Sequence, residues 1–395
     1  MLSLPVLGEV QFDVHGISAW RLLLRAEAEA LKDHPSFGPP KYTDKLVGVR
    51  VLGFSLRDFW DHNSEHLFVS TIAYEHLLLD IRSCFSVDGV AVGSKEEEEA
   101  QHAKVYKLGL HYRNNLMRVF RFNTGPTPPS SAHASPPSFE KHKEVILSAM
   151  VNAPGTKGEA KKRALLRDGY KCMISGAYDY DSCLKYPEIE ELAANNVATN
   201  TQCAHLFSET AQDINQVGAL VLMLISAYLS PMHECPVTAF TILKMFGLET
   251  PVRKILGGQV NNLCNVLTMA SSLHSAFDHF EFWLEEVPGE SNTYNVQASN
   301  DIFFRYAERP PRRVKFQLDP EMVADFRKRG LPPPELPDRN LIAIRAACAR
   351  VAYKSGAAEQ INQVARDRDD IMVIAEDGSN ADFLSSVLSH ISTNV

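Results

Sequence analysis

A histidine and an aspartate one helical turn apart can close on a single cation, and residues 261–284, NNLCNVLTMASSLHSAFDHFEFWL, offer that pair. The stretch ASSLHSAFDHF (270–280) reads as a helix on which His274 and Asp278 stand at i and i+4 and share one face. An imidazole nitrogen together with a carboxylate oxygen suits Mg²⁺, Mn²⁺ or Zn²⁺, so the expected cofactor is a divalent metal ion. Asn265 lies nine residues before the histidine, at the start of an expected strand.

Three elements must position these side chains. RALLRDGYKCMISG (163–176) reads as a basic helix ending at Gly169, then a strand running into a turn at Ser175–Gly176. TQCAHLFS (201–208) reads as a short strand with His205 near its end, and NNLCNVLTM (261–269) as a loop followed by a strand. Two strands and a helix make a compact unit that sets a residue of the first strand beside residues of the helix. Residues 206–264 intervene between His205 and Asn265 and include two expected helices, 215–229 and 237–247. An insert of that size is tolerable because loop-closure cost grows slowly with length.

At these residues the chain resembles the HNH endonuclease family, with its ββα-metal fold. The resemblance covers roughly 163–285, in the pattern RDGY-C-x-x-[ST]-G, an A-H-[IL] strand, and N-x-L-T-L followed by LH-x-x-FD. It is closest in detail to a branch found in fungal proteins, and LPPPELPDRNLIAIRAACARVAYKSGAAE is similar to that branch's C-terminal extension. The resemblance implies hydrolysis of nucleic-acid phosphodiester bonds, with DNA the expected substrate. It implies His205 as the general base that activates water, Asn265 as the residue orienting its imidazole, and His274 and Asp278 as metal ligands. In the best-studied members an Asp or a second His before the base also ligates the metal. Here that residue is Ala204, which leaves the ion to His274, Asp278, waters and a substrate phosphate. A second reading keeps the fold as a binding or scaffolding module whose site is degenerate. Ala204, the net charge and the large insert suit that reading.

The fold expected is therefore α+β: a central ββα-metal module with a helical insertion, an N-terminal α/β segment and a helical C-terminal extension. The N-terminal segment (1–123) contains VGVRVLGFSL (47–56) and LMRVFRFN (116–123), which read as strands, and STIAYEHLLLDIRSCF (70–85), which reads as a helix. KEEEEAQHAK (95–104) reads as a solvated helix start or loop. TGPTPPSSAHASPPS (124–138) reads as a linker. The nuclease-like region is placed at 139–308, with the insert at about 209–257. The extension runs over 309–395 and ends in a polar, weakly ordered tail.

The net charge of −8 excludes a general nucleic-acid binder, so contact with nucleic acid needs a local basic patch. Lys161, Lys162, Arg163, Arg167 and Lys171 supply a candidate for sequence-independent phosphate contact, against the plainer reading of a solvated helix face. Arg309, Arg312, Arg313 and Lys315 form a weaker patch. The seven cysteines include no CxxC pair, which argues against disulfide frameworks and all-cysteine zinc clusters. Cys172 reads as a core residue, and neither His233 with Cys235 nor Cys203 with His205 has the companions that a metal or nucleophilic site needs. The start lacks a secretory signal, and the longest apolar run, VGALVLMLISAYL (217–229), is too short to span a bilayer. An intracellular protein of the nucleus or cytoplasm is expected, with no membrane partner and with the insert as a surface for a protein partner.

Overall fold

The computed structural model describes residues 2–32, 43–62, 70–85, 94–117, 120, 138–150, 155–207, 239–256, 259–306 and 308–362. Residues 124–137 of the linker (124–138), the apolar run 217–229 and the tail from 363 lie outside them.

The N-terminal segment is built on helices α1 (Val14–Lys32), α2 (Asp44–Asp61), α3 (Ser70–Ser83) and α4 (Lys95–Tyr112), the last continued by a π-helical turn, Arg113–Met117. Helix α1 buries Ala19, Leu22, Leu23, Ala26 and Ala30, spaced as one helical face. The segment has no strand among its described residues. The expected strand 47–56 lies inside α2, and Leu116 and Met117 of the other lie in the π turn. The cause is visible in the packing of α2. It lies against α1, α3 and α4 and also against a later helix, and it buries every residue from Leu46 to Leu56. An apolar run buried all round carries no helical stripe, so its periodicity does not separate helix from strand. What fixes the helix is its start, where the Thr43 hydroxyl accepts from the Leu46 N–H. The expected helix at 70–85 and the helix start at 95 are both present, the latter capped by Ser94.

Helices α5 (Phe139–Ala149) and α6 (Lys157–Arg167) lead into the central unit. Helix α6 opens with a capping box between Thr156 and Glu159 and closes through Gly169 and Tyr170, both left-handed at φ +64° and +59°. The expected strand after it is reduced to a single bridge, Lys171 to Tyr178, around the turn at Gly176. β1 (Tyr178–Asp179), α7 (Tyr180–Lys185), α8 (Pro187–Ala193) and β2 (Ala198–Thr199) follow.

Next come β3 (Thr201–His205) and, after the insert's α9 (Ala239–Met245) and α10 (Glu249–Arg253), β4 (Val266–Ala270). β3 and β4 pair antiparallel, with Thr201 opposite Ala270 and His205 opposite Val266. Helix α11 (Ser271–Asp278) begins on the residue after β4. An antiparallel meander of β5 (Phe282–Glu286), β6 (Thr293–Ala298) and β7 (Arg313–Lys315) comes next. Then follow α12 (Pro320–Lys328) and α13 (Arg339–Ser355), which ends at Gly356 in the left-handed conformation at φ +84°. The architecture is α+β.

Helix α13 is the later helix that packs on α2, and its other side packs on β5. Asp338 caps its start, and the Asp338 N–H donates to the Cys264 carbonyl beside β4. Further along, the Arg350 guanidinium donates twice to Asp58 of α2 and once to Glu285 of β5. One apolar core runs from Leu4 through α2, β3, β4 and α11 to α13. A second packs α5 and α6 against α7, α8 and α12.

Candidate metal-binding and catalytic site

β3 and α11 pack together, and the candidate side chains are divided between them, His205 on the strand and His274 and Asp278 on the helix. Strand alternation puts Gln202 and Ala204 on one face of β3. Gln202 Oε1 lies 2.6 Å from His274 Nδ1, so that face looks toward α11. An amide oxygen only accepts, which places the His274 proton on Nδ1 and leaves the lone pair on Nε2. Nε2 is 3.3 Å from Asp278 Oδ2. Burial, with the positive charge of Lys157 and Arg345 and the neighbouring His205 imidazole, pushes the His274 pKa down to about 3. His274 is therefore neutral at physiological pH, the form that ligates metals. Its lone pair and the Asp278 carboxylate face each other at about the separation of two adjacent ligands on one ion.

The donor set fits an exchangeable divalent cation rather than a structural zinc, which takes four protein ligands. Among the described residues no group of three or more His, Cys, Asp and Glu side chains could hold a metal ion. Ala204, on the face toward α11, contributes only a methyl group. Water or substrate oxygens must complete any coordination by His274 and Asp278.

His205 ends β3, and its Nε2 lies 2.9 Å from Asn261 Oδ1. The contact to the imidazole that was expected of Asn265 is made by Asn261. The Asn265 side chain accepts from the Phe207 N–H and donates to the Phe207 and Val260 carbonyls, all at 2.8–2.9 Å. It fixes the chain just beyond β3 and makes no contact with the imidazole. The physical reason is burial: Asn265 is wholly enclosed among backbone groups that need partners, and its amide satisfies them. Because Asn261 Oδ1 accepts from Nε2, the basic nitrogen of His205 is Nδ1.

A guanidinium lies on the far side of Asp278. Arg345, from the middle of α13, is 3.6 Å from Asp278 Oδ1 and donates to the Phe277 carbonyl at 2.7 Å and the Leu206 carbonyl at 3.2 Å. It also donates to the Phe120 carbonyl. His205, His274, Asp278 and Arg345 are each 2–4 % exposed, so all four side chains are buried among the described residues.

The basic cluster divides. Lys162 is exposed and Lys161 half-buried on α6. Arg163 is largely buried, and burial lowers its pKa. Arg167 is fully buried: it pairs with Asp168 and donates to the Leu263, Val266 and Glu335 carbonyls, tying α6 to β4. A residue so enclosed cannot touch a phosphate, which corrects its place in the expected patch. Lys171 stacks over the Tyr178 ring at 4.6 Å. Burial pushes the Cys203 thiol up to about 12, which removes it as a nucleophile.

Gln202, Asn261 and Arg345 escaped the sequence reading. Arg345 carried a signal, as the lone charge in LIAIRAACA (341–349). Such a charge on a buried stripe implies a partner. Among the described residues no helix is long and apolar enough to cross a membrane. No known family model, curated protein or solved structure matches the chain.

Proposed function

We propose that this chain is a metal-dependent endonuclease of HNH type that hydrolyses phosphodiester bonds of nucleic acid, with DNA as substrate. The observation that carries the reading is the buried His274–Asp278 pair on α11, with His205 on the adjoining strand near enough to lower the His274 pKa. His205 Nδ1 accepts a proton from water as the water oxygen attacks phosphorus and the bond to the leaving oxygen breaks. Asn261 holds the imidazole in that tautomer. His274 and Asp278 would hold a divalent cation, whose charge would offset the negative charge on the phosphoryl and leaving oxygens. Lys161 and Lys162 supply phosphate-backbone contact that is independent of sequence.

The test is plasmid nicking with added Mn²⁺ or Mg²⁺. Wild type is expected to nick, chelator to stop it, and His205→Ala to abolish it in a protein that still melts cooperatively. Equal nicking by wild type and His205→Ala would remove the base assignment. Mn²⁺ should also stabilise the fold, by about 2.7 kcal/mol at 100 times Kd, seen as a higher melting temperature, and Asp278→Asn should lose that gain.

A binding or scaffolding module with a degenerate site is favoured by three specific features: two protein donors, a guanidinium beside one of them, and near-complete burial. Absence of both nicking and a metal-induced thermal shift would select it.

A further inference from the structure

Arg345 sits where three separate parts of the chain meet. Its Nη1 donates to the carbonyl of Leu206, the residue after His205, and to that of Phe120 in the N-terminal segment. Its Nη2 donates to the carbonyl of Phe277, the residue before Asp278. The guanidinium plane lies over the Phe277 ring at 3.7 Å, with Phe280 on a second side at 5.6 Å. Burial lowers its pKa only to about 10, so the group is a cation at neutral pH.

One rigid fork therefore holds the backbone next to the base and the backbone next to the second metal donor. We propose that Arg345, contributed by the C-terminal helix α13, is a positioning residue that sets the distance between His205 and the metal-binding face of α11. The proposal rests on the nuclease reading given above. It makes the ββα unit incomplete without a residue more than sixty positions beyond it in the chain. Lysine cannot replace the fork, because a single ammonium cannot span the carbonyl just beyond β3 and the one on α11 while stacking on a ring. The guanidinium also limits how much of the Asp278 carboxylate a cation can claim, since Oδ1 faces Arg345 and Oδ2 faces His274.

The experiment compares full-length wild type, Arg345→Lys, Arg345→Met and Arg350→Lys in plasmid nicking over a Mn²⁺ titration, with melting temperature measured on each. Arg350 lies on the same helix but bonds to Asp58 and Glu285, so its substitution reports loss of packing alone. The expected result is a rise of roughly 10–100-fold in half-saturating Mn²⁺ for Arg345→Lys, as for other groups that support a metal ligand, with a fall in kcat and little change in KM for DNA. Arg350→Lys should lower the melting temperature and leave the Mn²⁺ dependence where it was. Should Arg345→Met not fold, Arg345→Lys still decides the matter. Wild-type Mn²⁺ dependence and kcat in Arg345→Lys would overturn the positioning role while leaving the nuclease reading intact. A wild type that neither nicks nor responds to Mn²⁺ would overturn both.

Discussion

Asn261 and Asn265 are four positions apart and differ in what their amides touch. The Asn261 oxygen meets the His205 ring, and on the proposed nuclease reading its loss should weaken the hold on the imidazole. Asn261→Ala is expected to lower the nicking rate on the order of 10-fold or more, part of the contribution that a positioned base makes, with a near-native melt. Unchanged nicking would show that His205 needs no orienting partner. Asn265 satisfies three backbone groups and nothing on the imidazole. Asn265→Ala strands those buried groups at a cost of about 1–3 kcal/mol each where no water replaces the amide. Urea unfolding should therefore show a large loss of stability, and an unshifted midpoint would mean the amide is dispensable.

Among the elements, the β3–β4–α11 unit was legible because its signals are local: a strand ending in His205, a loop and strand from Asn261, and a helix with two donors at i and i+4. Helix α2 was not, because a helix buried all round shows no polar stripe for a pattern to detect. The supporting side chains were hidden for another reason. Gln202 with His274, Asn261 with His205 and Arg345 with Phe277 are pairings across long chain separations, and no local spacing encodes them. The crossing of α2 and α4 gives a test of the N-terminal packing. A Cβ built on Gly109 would lie 1.9 Å from the Gly48 carbonyl oxygen, so the two backbones meet where no side chain fits. Gly109→Ala should cost about 1–3 kcal/mol or more by overpacking. Gly158, in the first turn of α6, has nothing within 4 Å of its built Cβ, and Gly158→Ala should gain about 0.4–1 kcal/mol from the unfolded chain's lost freedom. Urea midpoints moving in opposite directions would bear this out, and a neutral Gly109→Ala would refute the close crossing.

The whole molecule is tied together by α13, which joins the shared core and carries Arg345 to the site and Arg350 to α2. Because the core is shared, any change in its charge state is felt as global stability. Burial is the leading cause that lowers the pKa of His102, His111, His142 and His274. Each is close to 6.5 in the unfolded chain, so below that pH the unfolded state binds protons that the folded state refuses. Stability therefore rises with pH across the window, is present in full above about 6.5, and drains away as pH falls toward the folded values, about 3 for His274. His102 isolates the effect, since it lies in the N-terminal helices far along the chain from the site, and neither ring nitrogen has a hydrogen-bond partner among the described residues. His102→Leu should flatten the fall of the urea midpoint between about pH 7.5 and about pH 5. It should leave Mn²⁺-dependent nicking unchanged at neutral pH. A slope equal to that of wild type would mean that His102 is protonated as readily in the folded chain as in the unfolded one.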